Sequence, residues 1–87
     1  MIEIISRKFK PTETDQNFMD WCAEVDHNEP KTWYNHSIED IVTMEYNELI
    51  KAIKENNHED IETNVIHLSV ALLRMWRKIH NVRVKSS

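Results

Sequence analysis

The 87-residue chain contains no glycine. At average usage about six would be expected, and their absence excludes whole classes of phosphate-binding loop. Neither a Walker loop nor a GxGxxG turn can form, because both use glycine to bring backbone N–H groups against phosphate. Nucleophile elbows and glycine-dependent hairpins are excluded with them. The lone cysteine, Cys22, has no partner for an internal disulfide, and no apolar run reaches the ~18 residues a membrane span needs. Met1 to Ile5 is too short for a targeting segment, so the chain reads as cytoplasmic, with no membrane partner.

What remains is 40% hydrophobic and 30% charged, a single domain near the size at which one core is only just sufficient. The net charge of −4 conceals an asymmetry. All fifteen acids lie at or before Glu62, and beyond it come Arg74, Arg77, Lys78, Arg83 and Lys85, so the end of the chain is +5 and the rest −9. That distribution suits a ligand carrying both phosphate and metal, and it equally suits a basic helix C-terminus complementing the macrodipole. Overall acidity disfavours a general nucleic-acid binder.

Hydrophobic periodicity predicts an all-α domain of three main helices, organised as an N-terminal arm or short strand (1–13), a helical core (14–82) and a basic tail (83–87). The arm carries Ile2, Ile4 and Ile5 followed by Arg7, Lys8 and Lys10. Pro11 and Thr12 to Thr14 signal a first helix over 14–27, with Phe18, Trp21, Cys22 and Val25 on one face. Asn28 to His36 form a loop. Ser37 and Asp40 resemble a capping box, and Ile38, Ile41, Val42, Leu49, Ala52 and Ile53 trace a second helix to about Glu55. After Asn56, Asn57 and His58, a third helix over 59–80 carries Ile61, Val65, Leu68, Leu72, Met75 and Ile79. Asn28, Asn56 or Asn57, and Asn81 stand at the three predicted ends, where asparagine replaces the left-handed capping glycine. From Val65 to Leu73 the third helix is apolar nearly all round, interrupted by His67 and Ser69, and such a helix must be covered on every side. This predicts a homodimer in which the second and third helices of two chains build a four-helix core; the alternative is a monomeric three-helix bundle.

Two carboxylates occupy the core side of the second helix. Positions 38, 41, 45, 49 and 52 share a face, so Glu45 falls within the apolar stripe and Glu48 is its i+3 neighbour. Like charges there are costly unless a cation sits between them, and oxygen-ligated Mg²⁺ meets that need. The blander alternative has Glu45 neutralising a base such as Arg74 and Glu48 pairing with Lys51 at the surface. On the third helix Asp60, Asn64 and His67 lie on one line, continuing to Ala71 and Arg74. Glu59 and Glu62 form a second ExxE, but Glu62 points away from that line.

The order of a Trp-bearing helix, a loop with Trp33, a helix with Glu45-x-x-Glu48-Leu49-x-x-Ala52-Ile53, a short polar break and the apolar helix Ile61 to Ile79 resembles the MazG-like all-α nucleotide pyrophosphohydrolases over residues 15–80. The resemblance implies Mg²⁺-dependent hydrolysis of nucleoside triphosphates to monophosphate and pyrophosphate by dimers or tetramers. In that family an ExxE on one helix and an ExxD on the next hold the metal. The first motif matches Glu45 and Glu48; at the second, Asn64 stands in place of Glu and His67 in place of Asp, and Met44 replaces a further Glu. At the second motif two negative charges are thereby removed, leaving two alternatives: Asp60 supplies the missing carboxylate, or the site binds without efficient catalysis.

The resemblance therefore implies a metal shell of Glu45 and Glu48 completed by Asp60 or Asn64, with His67 as ligand or general base. Arg74, Arg77 and Lys78 are candidates for holding the distal phosphates. Trp33 or Tyr34 would stack on the base, or both aromatics cap the core. The competing expectation is a non-catalytic helical module, of the kind a small virus-encoded regulator would be, that binds a nucleotide or a protein partner. A DNA-reading helix is disfavoured, since the third helix is apolar where a recognition helix is polar.

Overall fold

In the structure, a computed structural model, residues 11–86 are described, with side chains through His80. The fold is all-α: α1 (Glu13–His27), α2 (Ile38–Lys54) and α3 (His58–Ser86), with a 3-10 turn at Lys31–Trp33 and no strand among the described residues. No helix among them is long and apolar enough to cross a membrane. The expected arm or strand at 1–13 falls mostly on residues 1–10, outside the described residues; Pro11 and Thr12 lead into α1, which Glu13 opens.

Each helix begins where a side-chain oxygen can accept from a free backbone N–H. Thr12 Oγ1 accepts from Asp15 N at 3.1 Å while Thr12 N donates to Asp15 Oδ2 at 3.0 Å, a complete capping box. Ser37 Oγ accepts from Asp40 N at 3.1 Å to start α2. Asn57 caps α3, its Oδ1 accepting from Asp60 N at 3.2 Å and its Nδ2 donating to Asp60 Oδ2 at 3.0 Å.

The helix ends treat asparagine unevenly. Asn56 is left-handed at φ 54° and turns the chain from α2 into α3, and Asn35 in the loop is left-handed at φ 68°. Asn28 caps α1 at φ −106°, ψ 66°, outside the left-handed region. The third expected end is displaced: α3 runs through Asn81 to Ser86. Residues 81–85, Asn-Val-Arg-Val-Lys, contain neither proline nor glycine, so nothing local stops propagation, and the backbone of most of the expected basic tail belongs to α3.

α3 packs chiefly along α2 and less along α1. The buried core is small, consisting of Trp33, Ile41, Ala52, Ile66, Val70 and Ala71, with Cys22, Val25 and Val42 against it. The α3 stripe anticipated from periodicity is not the one buried here. Val65, Leu72 and Ile79 are exposed and Ile61, Leu68 and Met75 half-buried, while Ile66, Val70 and Ala71 are buried, the last two clustered with Trp33 and Ile41. Small side chains at 70 and 71 let α3 approach closely enough to enclose Trp33, which the bulkier stripe would hold off.

Because Asn56 occupies a left-handed conformation that a β-branched residue adopts only with strain, Asn56→Val is expected to lower stability by about 1–2 kcal/mol. Asn56→Gly should be neutral within about 0.5 kcal/mol. Urea unfolding of the two variants checks this, and equal midpoints would overturn it.

Candidate functional site

The site grows from the loop between α1 and α2. Pro30, with φ −58°, presets a tight turn in which Trp33 N donates to Pro30 O at 3.0 Å and Tyr34 N to Lys31 O at 3.1 Å. That turn drives the Trp33 indole into the core while Tyr34 stays exposed. There Trp33 Nε1 donates to Glu45 Oε2 at 2.9 Å. Both residues are 2% exposed, and a carboxylate buried so deeply is tolerated only with such a donor.

The second oxygen, Glu45 Oε1, is buried with no hydrogen-bond partner. His67 Nδ1 approaches it to 3.4 Å without hydrogen-bond geometry. Glu45 lies at the bottom of a groove of about 430 Å³ that also carries Glu48, Asp60, Thr63, Asn64 and His67. All the sequence-predicted metal residues therefore line one groove. Asn64 Nδ2 reaches Glu48 O at 3.5 Å, and Asp60 Oδ2 is occupied by Asn57 Nδ2 at the start of α3.

Electrostatics single out Glu48. Partial burial pushes its carboxyl above the usual range, and the Glu45 charge adds to this, together with the hydrogen bond a protonated Glu48 would donate to Glu45; His67 and Lys51 oppose the shift. The like charge of Glu45 beside Glu48 favours a cation next to the pair. Among the described residues no three His, Cys, Asp or Glu side chains converge into a ready-made metal cage. The groove also brings in Lys51, weighed above as a partner of Glu48, together with Thr32, Thr63 and Glu55, which sequence reasoning missed. Glu55, at i+7 from Glu48, was findable as a neighbour on its face.

The candidate phosphate-holding cations stand elsewhere. Arg74 Nε donates to Asp26 Oδ1 at 3.0 Å, Nη2 to Asp26 O at 2.8 Å, and Nη1 to Glu29. Arg77 Nη1 donates to Asp26 Oδ2 at 2.8 Å, and Lys78 Nζ to Glu39 at 3.0 Å. Partial burial would raise Asp26, but hydrogen bonds and charge from Arg77 and Arg74 outweigh it and hold that carboxyl below its usual value. Arg74, the basic residue weighed as a neutraliser of Glu45, instead ties the end of α1 to α3. Its guanidinium stands over the Trp33 ring at 5.2 Å from the centroid. Trp33 also meets His67 edge-on, with ring centroids 6.2 Å apart.

No protein-family model, curated protein or solved structure matches the chain.

Two outcomes follow from this geometry. A carboxyl whose folded pKa is raised adds stability below its unfolded pKa, and that contribution is lost as pH rises through the folded value. Glu48→Gln is therefore expected to raise Tm at pH 7, the gain shrinking as pH falls toward 4.5, in thermal melts across that range. Trp33→Phe leaves buried Glu45 without its donor and should cost about 1–3 kcal/mol, whereas Trp33→Phe combined with Glu45→Leu should recover most of the loss. Additive losses in a double-mutant cycle would show that the hydrogen bond is not the source.

Proposed function

We propose that the chain is a Mg²⁺-dependent nucleoside triphosphate pyrophosphohydrolase of MazG-like type, releasing monophosphate and pyrophosphate. The observation that carries this is the buried, unpartnered Glu45 Oε1 beside the raised carboxyl of Glu48, in a groove shared with Asp60, Asn64 and His67. The donor set fits magnesium, which is commonly held by one or two carboxylates plus water and substrate phosphates, with no all-protein cage. Glu45 and Glu48 would hold the ion, with Asp60 or Asn64 reached directly or through water; the ion supplies charge neutralisation at the phosphates.

The chain's own residues do the rest. Trp33 fixes the orientation of the Glu45 carboxylate, so its free oxygen is presented without rotational cost. His67, on the same groove, orients or deprotonates the attacking water. Tyr34, the exposed loop aromatic, lines a separate groove with Arg74, Arg77 and Lys78 and would stack on a base held there. Use of Arg74, Arg77 or Lys78 on the distal phosphates requires exchange of their present carboxylate partners.

That last requirement favours a second reading, a non-catalytic module that binds a nucleotide or a protein partner to regulate it. With Asn64 and His67 at the second motif and the cations of α3 already paired, the scaffold would persist without turnover.

Purified protein with Mg²⁺ and a panel of dNTPs and NTPs should release pyrophosphate, and Glu45→Gln should abolish release with melting little changed. Absence of release from every nucleotide at high protein concentration removes the hydrolase reading. Nucleotide-induced thermal shifts without turnover then support the binding module, and ligand-independent melting leaves a protein partner.

A further inference from the structure

α1 buries no residue of its own, and beside it the surface opens into a groove of about 480 Å³ against the first turns of α3. One wall is the stripe of α1 from Thr14 to Trp21, the other the stripe of α3 from His58 to Ile66. Each wall spans about two helical turns, roughly 11 Å. Phe18 and Trp21 are each 39% exposed and Val65 36%, with Ile61 half-buried between the walls. Large apolar side chains on two facing walls thus lack cover, which is the pattern of a binding groove and not of scattered surface residues.

Charge sets the occupant. α1 carries Glu13, Asp15, Asp20, Glu24 and Asp26 and neither Lys nor Arg. Asp26 is tied to Arg74 and Arg77, and Asp15 closes the capping box. Glu13, Asp20 and Glu24 form no ion pair among the described residues. At about 100° per residue these three follow directly outside the groove stripe of α1 and make its outer lip. Glu62 lines the facing wall, no Lys or Arg lines either one, and α3 has no such residue before Arg74. A second copy of the chain would set the same acids against these, whereas a cationic partner is attracted from both sides. Two parallel stripes of two turns each suit a helix laid between them.

We propose that this groove binds a basic amphipathic helix of a partner protein. Its apolar face would fill the space between Phe18, Trp21 and Val65, and its Lys or Arg residues would stand over Glu62 and the lip of Glu13, Asp20 and Glu24. The groove shares no lining residue with that of Glu45 and Glu48, so peptide binding there is independent of nucleotide turnover.

The probe is a helical peptide of about 18 residues with Leu on one face and Lys on the other. It is titrated into the full chain carrying Trp76→Phe, which leaves Trp21 as the exposed reporter beside buried Trp33. One peptide should bind per chain with a blue shift of Trp21 emission, more weakly as salt is raised; the same peptide with Glu in place of Lys should not bind. Glu62→Lys and Val65→Asn, both at exposed positions, should each weaken binding roughly tenfold with helical circular dichroism unchanged. Asp40→Lys, the same charge reversal at the start of α2, should change it less than about twofold. Absence of binding, equal binding of the Glu peptide, or an equal loss from Asp40→Lys would overturn the proposal. So would binding that appears only after Ile4→Glu with Ile5→Glu, which assigns the groove to residues 1–10 of the chain itself. A dimer in sedimentation that the peptide splits would assign it instead to a second copy.

Discussion

The hydrogen bond from Trp33 to Glu45 is the constraint on which the rest of this small fold depends. It joins the α1–α2 loop to the middle of α2, and the indole it anchors is one of the two largest fully buried side chains, the other being Val70. A charged carboxylate at the centre of a core this small is an expensive choice. Its cost is offset only if the donor arrives with fixed geometry, which the Pro30 turn provides. Around the same indole stand Arg74 over its face and His67 at its edge, so contacts from α2 and α3 converge on one ring.

Arg74 extends that arrangement outward. By binding the Asp26 carboxylate, the Asp26 carbonyl and Glu29, it satisfies acceptors at the end of α1 that would otherwise face water, and it brings α1 against α3 with few buried apolar residues between them. α1 has no buried residue of its own. Its position is held by charged hydrogen bonds and half-buried Cys22 and Val25, which makes it the element most easily released by acid: Asp26, held below its usual value, loses that contribution as pH falls through its folded pKa.

Much of the architecture was legible in the sequence because caps and periodicity are local. Thr12 and Ser37 mark two helix starts, whereas Asn57, expected at a helix end, caps the start of α3; the position of Glu45 inside an apolar stripe announced a buried carboxylate, which the structure bears out. What local pattern could not convey was which partner each polar group takes. Glu45 meets Trp33 twelve residues away, and Arg74 meets Asp26 across 48; both choices are set by tertiary approach. The α3 stripe misled for a related reason: a helix apolar on two faces has two seams, and periodicity weights them by size, whereas close packing around Trp33 selected the smaller residues. The end of α3 was misplaced because Asn81 has cap chemistry without the geometry, there being no breaker beyond it.

The left-handed turn at Asn56 has a consequence for the unfolded chain. Glycine there would relieve local strain but would also add conformational freedom to the denatured ensemble, freedom that folding must then remove. Asparagine tolerates the native dihedral at modest strain, partly relieved by its local hydrogen bonding, while keeping the denatured chain stiffer. At Asn35 and Asn56, the two left-handed positions among the described residues, the substitution lowers the entropy lost on folding. A core of six buried apolar side chains has correspondingly less disorder to overcome.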